Sequence, residues 1–430
     1  MTTDFFTLDD FNLDFRTVFL RLDINSPIFP ETGELLDDTR LRLHLPTLRR
    51  LKFSKVVIFA HQSRPGKKDC VPLEKHARRL EYYLKRPVRY MDNFIGKRVV
   101  DAIKKMDPGD IILLENSRFS AEEVLIKKFN GKDYSDQAST YFISSLAPFG
   151  DYFINDAFSA SHRCQPTLVG FTEHMPSLAG ELMRKELSIL GDALFSGARP
   201  LVVFLGGAKA DDSVAIARNM LEGGVADKVL TGGVVANIFL MADGRDIGAP
   251  SREFVEKKVS DHQEVIKAAA ELLEKYRDKI ALPTDVALNV NKVRRDVSVD
   301  ELPPEYPIHD IGIDTVVGYS RVLAEAGTII ANGPAGVFEL KNFAFGTQEV
   351  FKAIAASKGF SIVGGGETAS VVAELKLSDS INHVSSGGGA CITFLSNGQM
   401  PARDALVRSR NLFNQGFYEG HLKKHDLPRE

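Results

Sequence analysis

Three cysteines in 430 residues, Cys70, Cys164 and Cys391, are too few and too far apart for a disulfide framework or a paired metal-ligand spacing. A reducing compartment, the cytoplasm, is therefore expected. Long apolar runs are missing as well, and the start, Met-Thr-Thr-Asp-Phe-Phe, lacks a basic stretch followed by an apolar core. Neither a membrane span nor an export signal is predicted. Charge of one sign is scarce too, with 54 Lys and Arg against 57 Asp and Glu and a net charge of −3. With 44% hydrophobic and 26% charged residues, this balance excludes a disordered chain and a general nucleic-acid-binding surface. Any anion site must be local. No Gly-Lys pair is followed by Ser or Thr, and no protein-kinase catalytic-loop or magnesium-loop pattern occurs, so neither a P-loop nor a protein-kinase apparatus is present.

What the chain does have is length for two domains. Short apolar runs rich in Val, Ile, Leu and Phe recur at 56–60, 111–114, 152–154, 201–205, 228–230, 328–330 and 360–363, each followed by a stretch with helical character. Such alternation predicts α/β architecture with parallel sheets covered on both faces. The expected fold is two Rossmann-like three-layer domains with mainly parallel sheets, joined by a hinge helix across a cleft. Met175-Pro176-Ser177-Leu178-Ala179-Gly180 leads into a helical pattern at 181–190 that would form the hinge. The division expected is 1–175, 176–400 with the hinge helix, and a C-terminal segment, 401–430, as a candidate to pack back on the first domain.

In doubly wound sheets ligands sit beyond the carboxyl ends of the strands. There the two halves differ. The first half places Arg21, Asp23, Asn25, His61, Arg64, Arg118, His162 and Arg163 at such positions, with Arg40 nearby. Guanidinium forks suit a multiply charged phosphate or carboxylate ligand, although any single arginine is more often a solvated surface charge. The second half places glycines there: Gly206, Gly207 and then Lys209; Gly364, Gly365, Gly366, Glu367 and Thr368; Gly387, Gly388 and Gly389. Glycine between strand and helix lets backbone N–H groups approach phosphate. Lys209 would offset charge on a travelling phosphoryl group, and Glu367 and Asp285 are candidates to face Mg2+. The bland readings are a helix cap for Glu367 and a solvated Lys209. Residues 364–369 also fit G-x-G-x-x-A, but His383-Val384-Ser385-Ser386 stands where a ribose-binding acid is usual.

Ten ordered segments carry a family resemblance. They are Arg21-Leu-Asp23-Ile-Asn25; Arg40 upstream of Leu45-Pro46; His61-Gln-Ser-Arg64-Pro65; Leu113-Leu114-Glu115-Asn116-Ser-Arg118-Phe119; Asn155-Asp156-Ala157-Phe158 with His162-Arg163; Gly206-Gly207-Ala208-Lys209; Leu282-Pro283-Thr-Asp285; Asn332-Gly333-Pro334-Ala-Gly336-Val337-Phe338-Glu339; Gly364-Gly365-Gly366-Glu-Thr368-Ala369; and His383-Val384-Ser385-Ser-Gly387-Gly388-Gly389. Over nearly its whole length the chain resembles phosphoglycerate kinases, and archaeal members in Gln62-Ser63, Ser213, Ala331 and Glu367. The resemblance implies that Asp23, Asn25, Arg40, His61, Arg64, Arg118 and Arg163 hold 3-phosphoglycerate or 1,3-bisphosphoglycerate. It implies that Gly207, Lys209, Asn332, Glu339 and residues 364–368 hold Mg2+-ATP or Mg2+-ADP, with Glu339 at the ribose. Arg40, Lys209, Gly387 and Gly388 would then flank the migrating phosphoryl group. No nucleic acid, membrane or obligate protein partner is expected. The competing readings are a nicotinamide or flavin oxidoreductase, resting on residues 364–369, and a non-catalytic nucleotide-binding regulator.

Overall fold

The computed structural model describes residues 4–125, 134–303 and 305–414. The chain divides into two compact units, one running to Leu187 and resuming at Gln399, the other Ser188–Gly398. The helix Glu181–Ser196 carries the chain from the first into the second. Among the described residues no helix is long and apolar enough to cross a membrane.

The first unit is built on seven parallel strands: β1 Phe6–Thr7, β2 Thr17–Arg21, β3 Lys55–Phe59, β4 Arg89–Tyr90, β5 Ile111–Leu113, β6 Tyr152–Asn155 and β7 Ser177–Ala179. Their order is β1-β7-β6-β2-β3-β5-β4. The strands read as continuous apolar runs because helices cover both faces. Val18, Leu20, Val56, Ile58 and Ile111 enter one core, while Phe19, Val57, Phe59, Ile112 and Phe153 enter the other. In the second core Phe19, Phe59 and Phe171 meet edge-on or tilted at centroid distances of 5.1–5.4 Å, and full burial of each such ring contributes about 1.5–3 kcal/mol. Because β7 still belongs to this sheet, the first unit continues past Pro176 into the helix. The helix Pro401–Asn414 packs here too, with Ala402 and Ala405 against Leu168 and Val169.

The second unit contains β8 Leu201–Leu205, β9 Lys228–Thr231, β10 Ile280–Ala281, β11 Asp285–Val290, β12 Val293–Ser298, β13 Ile308–Ile311, β14 Thr328–Asn332, β15 Phe360–Gly364 and β16 His383–Val384. Six of these form a parallel sheet of order β10-β9-β8-β14-β15-β16. The antiparallel sheet β12-β11-β13 escapes the pattern of apolar runs, because β12 reads Val-Arg-Arg-Asp-Val-Ser and fully buries only Val297.

Both parallel sheets are doubly wound, and each reverses direction at one point. In the first unit the chain builds outward from β2 through β3 and returns to β6 on the other side. In the second it builds outward from β8 through β9 and returns to β14. The crevices beyond the carboxyl ends of β2 and β6, and of β8 and β14, are where such folds bind ligands.

Candidate active site

At the first switch point the backbone delivers a buried electrostatic frame. Arg21 ends β2 with no exposed surface, donating from Nε to Thr167 Oγ1 at 2.9 Å and from Nη2 to His61 Nδ1 at 2.9 Å. Burial pulls its pKa down to about 10, with Glu123 and Asp23 resisting, so it remains a cation at neutral pH. Read from sequence as a ligand to the anion, Arg21 is instead enclosed, and its work is to orient its neighbours. A guanidinium can only donate, so His61 must accept at Nδ1 and carry its proton on Nε2. Burial first, then Arg21, Arg118 and Arg163, hold the His61 pKa well below the usual imidazole value, so the ring is neutral.

Asp23 is also buried, and burial opposes its charge. The guanidiniums of Arg40 and Arg21, with the hydroxyl of Ser159, nevertheless hold its pKa well below the ordinary carboxylate range. With His61 neutral, the partner that matters is Arg40, 2.7 Å away through Nη1 and with 38% of its side chain exposed. Asn25 accepts the Ser63 N–H at 2.8 Å through Oδ1, which leaves its amide nitrogen as the group able to donate to a ligand.

Around this frame Arg64, Arg118 and Arg163 gather. The Arg163 pKa is lowered by burial and then by Arg118, Arg64 and Arg40, and that of Arg118 by burial and by Arg64, with nearby acids opposing in both. These guanidiniums are close enough to disfavour one another. Among the described residues none of the three has a carboxylate within ion-pair distance. Arg118 Nε is buried without a partner, and its Nη2 has only Gln165 Oε1 at 3.4 Å. Such a cluster is stabilised by a multiply charged anion. His162 is next to it, its Nε2 accepting from Arg163 Nε at 3.3 Å, and burial and then Arg163 bring its pKa down to about 4. Sequence reasoning missed Ser159 and Gln165, whose polar side chains on loops carry no distinguishing pattern.

Beneath the cluster Gln62 acts as a strut, accepting from Ser26 N at 3.0 Å and bonding His76 Nε2 at 3.1 Å. Burial pulls the His76 pKa down to about 4. An unfolded chain protonates this ring near pH 6.5, so between pH 6.5 and 4 the unfolded state holds more protons and stability falls as the pH falls. For this one ring the loss is roughly 2 kcal/mol between pH 6.5 and 5. Urea unfolding of His76→Gln at pH 7 and pH 5 should show a smaller pH dependence than the unsubstituted chain; equal dependence would exclude His76 as a source.

At the second switch point two glycine loops cross. Gly206 N donates to Asn332 O at 2.8 Å, Gly207 N to Pro334 O at 2.7 Å and Gly233 N to Ala335 O at 2.6 Å. A Cβ on Gly333, which has φ +84°, would lie 2.2 Å from Gly206 O. The glycines therefore permit close approach of backbone to backbone, and the amides of Gly206 and Gly207, expected to face phosphate, are committed to that crossing. Thr368 Oγ1 accepts Gly333 N at 2.7 Å, tying a third loop to the crossing. Gly387 N donates to Ser385 Oγ at 3.1 Å, so Gly388 is the member of that pair whose N–H remains for a ligand.

A cavity of about 280 Å³ opens beside the crossing, and Gly207, Glu339 and Glu367 of the predicted residues line it. Lys209, Asn332, Gly364, Gly365, Gly366, Thr368, Gly387 and Gly388 do not. Lys209 is the exposed N-cap residue of the helix Ala210–Glu222, and Asn332 reaches under Gly365, where a Cβ would stand 2.6 Å from its Oδ1. Asp285 is not available to a metal. Its two oxygens accept from Thr315 N at 2.7 Å, Thr315 Oγ1 at 2.6 Å and Asp314 N at 3.0 Å, which caps the helix Ile313–Ala324. Glu367 remains, exposed in the first turn of the helix Gly366–Glu374. One carboxylate beside nucleotide phosphates suits Mg2+, which keeps waters and seldom uses a cage of protein ligands. Among the described residues no cluster of three metal-ligating side chains exists. Residues 364–369 follow β15, whereas a dinucleotide fingerprint belongs after the first strand, here β8.

The family model for phosphoglycerate kinase matches residues 8–398. The chain is 47% identical over 408 residues to phosphoglycerate kinase of Methanothermus fervidus, covering 94% of this chain and 98% of that one. It is 48% identical over 411 residues to the phosphoglycerate kinase of Methanococcus maripaludis, covering 94% and 98%. The crystal structure of phosphoglycerate kinase from Pyrococcus horikoshii superposes with a TM-score of 0.83 at 40% identity, covering 94% of this chain and 99% of that one.

Proposed function

Because the chain belongs to the phosphoglycerate kinase family, we propose that the arginine cluster beyond β2 and β6 holds its phosphoglycerate substrate and that the cavity beyond β8 and β14 holds its adenine nucleotide. The activity is reversible phosphoryl transfer between 1,3-bisphosphoglycerate and ADP, giving 3-phosphoglycerate and ATP, a phosphotransfer with a carboxyl group as acceptor. The oxidoreductase and regulator readings find no support in these relatives. The observation that carries the residue assignment is the set Arg64, Arg118 and Arg163, held together without carboxylate partners among the described residues.

In this reading Arg64, Arg118 and Arg163 grip the remote phosphate and His61 donates from Nε2. Asp23 holds Arg40 so that its fork stays aimed at the transferring group. Lys209 and the N–H of Gly388 meet the same phosphoryl group from the nucleotide side. Transfer is direct and in line, and the rate comes from positioning and charge stabilisation. Glu367 would hold Mg2+, which would offset negative charge on the nucleotide phosphates. In-line transfer further requires the two ligands to meet. Closure about the helix Glu181–Ser196 would supply this, and small-angle scattering with both ligands should give a smaller radius of gyration than with either alone. An unchanged radius would count against closure.

The direct test is a coupled assay with ATP and 3-phosphoglycerate, Mg2+ present or chelated. Product formation that stops on chelation is expected; full activity without a divalent ion would remove Glu367 from the metal role.

A further inference from the structure

Thr167 links the buried carboxylate of Glu123, on the helix Ala121–Leu125, to the buried guanidinium of Arg21. Glu123 Oε1 accepts from Thr167 Oγ1 at 2.6 Å, and Oε2 accepts from Thr167 N at 3.1 Å. The same hydroxyl oxygen accepts Arg21 Nε at 2.9 Å, while Arg21 Nη1 donates to Leu22 O and Nη2 to His61 Nδ1 at 2.9 Å. The donor in each bond follows from the groups at its ends. A guanidinium has no acceptor, so the Thr167 oxygen takes the Nε proton and must give its own proton elsewhere. The Glu123 carboxylate is the acceptor that receives it. Three hydrogen bonds thus connect Glu123 to His61, and they leave His61 Nε2 to carry the ring proton. Charge supports the same arrangement. Burial raises the Glu123 pKa, opposed first by Arg21, and Glu123 in turn favours the buried Arg21 cation more than Asp23 does.

We propose that Glu123 is a positioning residue for the transfer reaction: by holding Thr167 and Arg21 it keeps His61 in the tautomer that donates from Nε2 to the phosphoglycerate. Glu123 acts through these three side chains and not by contact with substrate. Glutamine at this position replaces one accepting oxygen with a donor, which opposes one of the two donors of Thr167 and loosens its hold on Arg21. The inference rests on the placement of His61 in the phosphoglycerate site and deepens it.

Steady-state kinetics of Glu123→Gln, Thr167→Val and Thr167→Ser test it, beside nitrogen NMR of labelled histidine rings with His61 assigned through His61→Gln. The unsubstituted chain should show His61 protonated on Nε2. Glu123→Gln and Thr167→Val should each show mixed tautomers and raise the KM for 3-phosphoglycerate about tenfold, with the KM for ATP within about twofold of its original value. Thr167→Ser keeps the hydroxyl and should match the unsubstituted chain within about twofold. If Glu123→Gln does not fold, Thr167→Val, of nearly unchanged volume, decides alone. A merely structural Glu123 would lower the urea midpoint and leave both the tautomer and the KM for 3-phosphoglycerate unchanged, and that result overturns the proposal. So does a His61 proton on Nδ1 in the unsubstituted chain. If His61→Gln leaves the KM for 3-phosphoglycerate unchanged, the placement of His61 falls and this inference with it; if it raises that KM while the other two variants do not, the proposal alone falls.

Discussion

Replacing Arg40 with alanine should lower turnover by roughly a hundredfold to a thousandfold, about 2.7–4 kcal/mol, the usual cost of losing one transition-state donor. The dissociation constant for ADP should stay within about a factor of two. Arg40 is the cation of the first site that is both anchored and presented: Nη1 is fixed on Asp23 at 2.7 Å while more than a third of the side chain remains open to solvent. Asp23 stays ionised because its environment depresses its pKa, so the anchor persists across the working pH range. Arg40→Lys keeps a charge but loses the fork, and it should recover only part of the rate. Stopped-flow or steady-state kinetics beside ADP titration separate the outcomes. If ADP affinity fell as far as turnover, Arg40 would be supporting the fold or the nucleotide and not the transferring group.

Asp156→Ala should cost about 3 kcal/mol or more of folding free energy, since each buried donor left without its acceptor costs about 1–3 kcal/mol. No surface of Asp156 reaches solvent. Its Oδ2 accepts from His44 Nδ1 at 2.8 Å and Thr47 Oγ1 at 2.9 Å. Its Oδ1 accepts from Leu182 N at 2.9 Å and Met183 N at 3.2 Å. One side chain thus caps the helix Glu181–Ser196 and fixes the residues that follow Arg40, since His44 also bonds the Asp23 backbone. Alanine would strand four donors in a dry interior, and Asp156→Asn, keeping an acceptor for the helix amides, should lose less. Urea unfolding measures both; a loss below about 1 kcal/mol for alanine would show that water or a rearranged side chain replaces the carboxylate.

The site was legible in the sequence where its residues sit at strand ends. Arg21, His61 and the glycines after β8, β14 and β15 all follow apolar runs whose ends composition marks clearly. What escaped was the allocation of hydrogen bonds. Arg21 looks like any other arginine at a strand end, yet Thr167 and His61 enclose it. Asp285 follows Leu-Pro-Thr as a ligand would, yet it opens β11 and caps a helix.

By itself, then, the sequence determined the alternation of buried strands and covering helices, the two-part division of cations and glycines, and membership in a family recognisable from ten short segments. Those properties reside in consecutive residues, where the hydrophobic period and the turn residues act locally. The tertiary structure alone decided which guanidiniums remain for a ligand, which glycine amides are already taken, and which carboxylates are spent on capping helices. Each depends on groups far apart in the chain, such as His44 and Asp156, separated by 112 residues, or the loops after β8 and β14. A donor can be spent only once, and where it is spent is settled by which distant segment folding sets beside it.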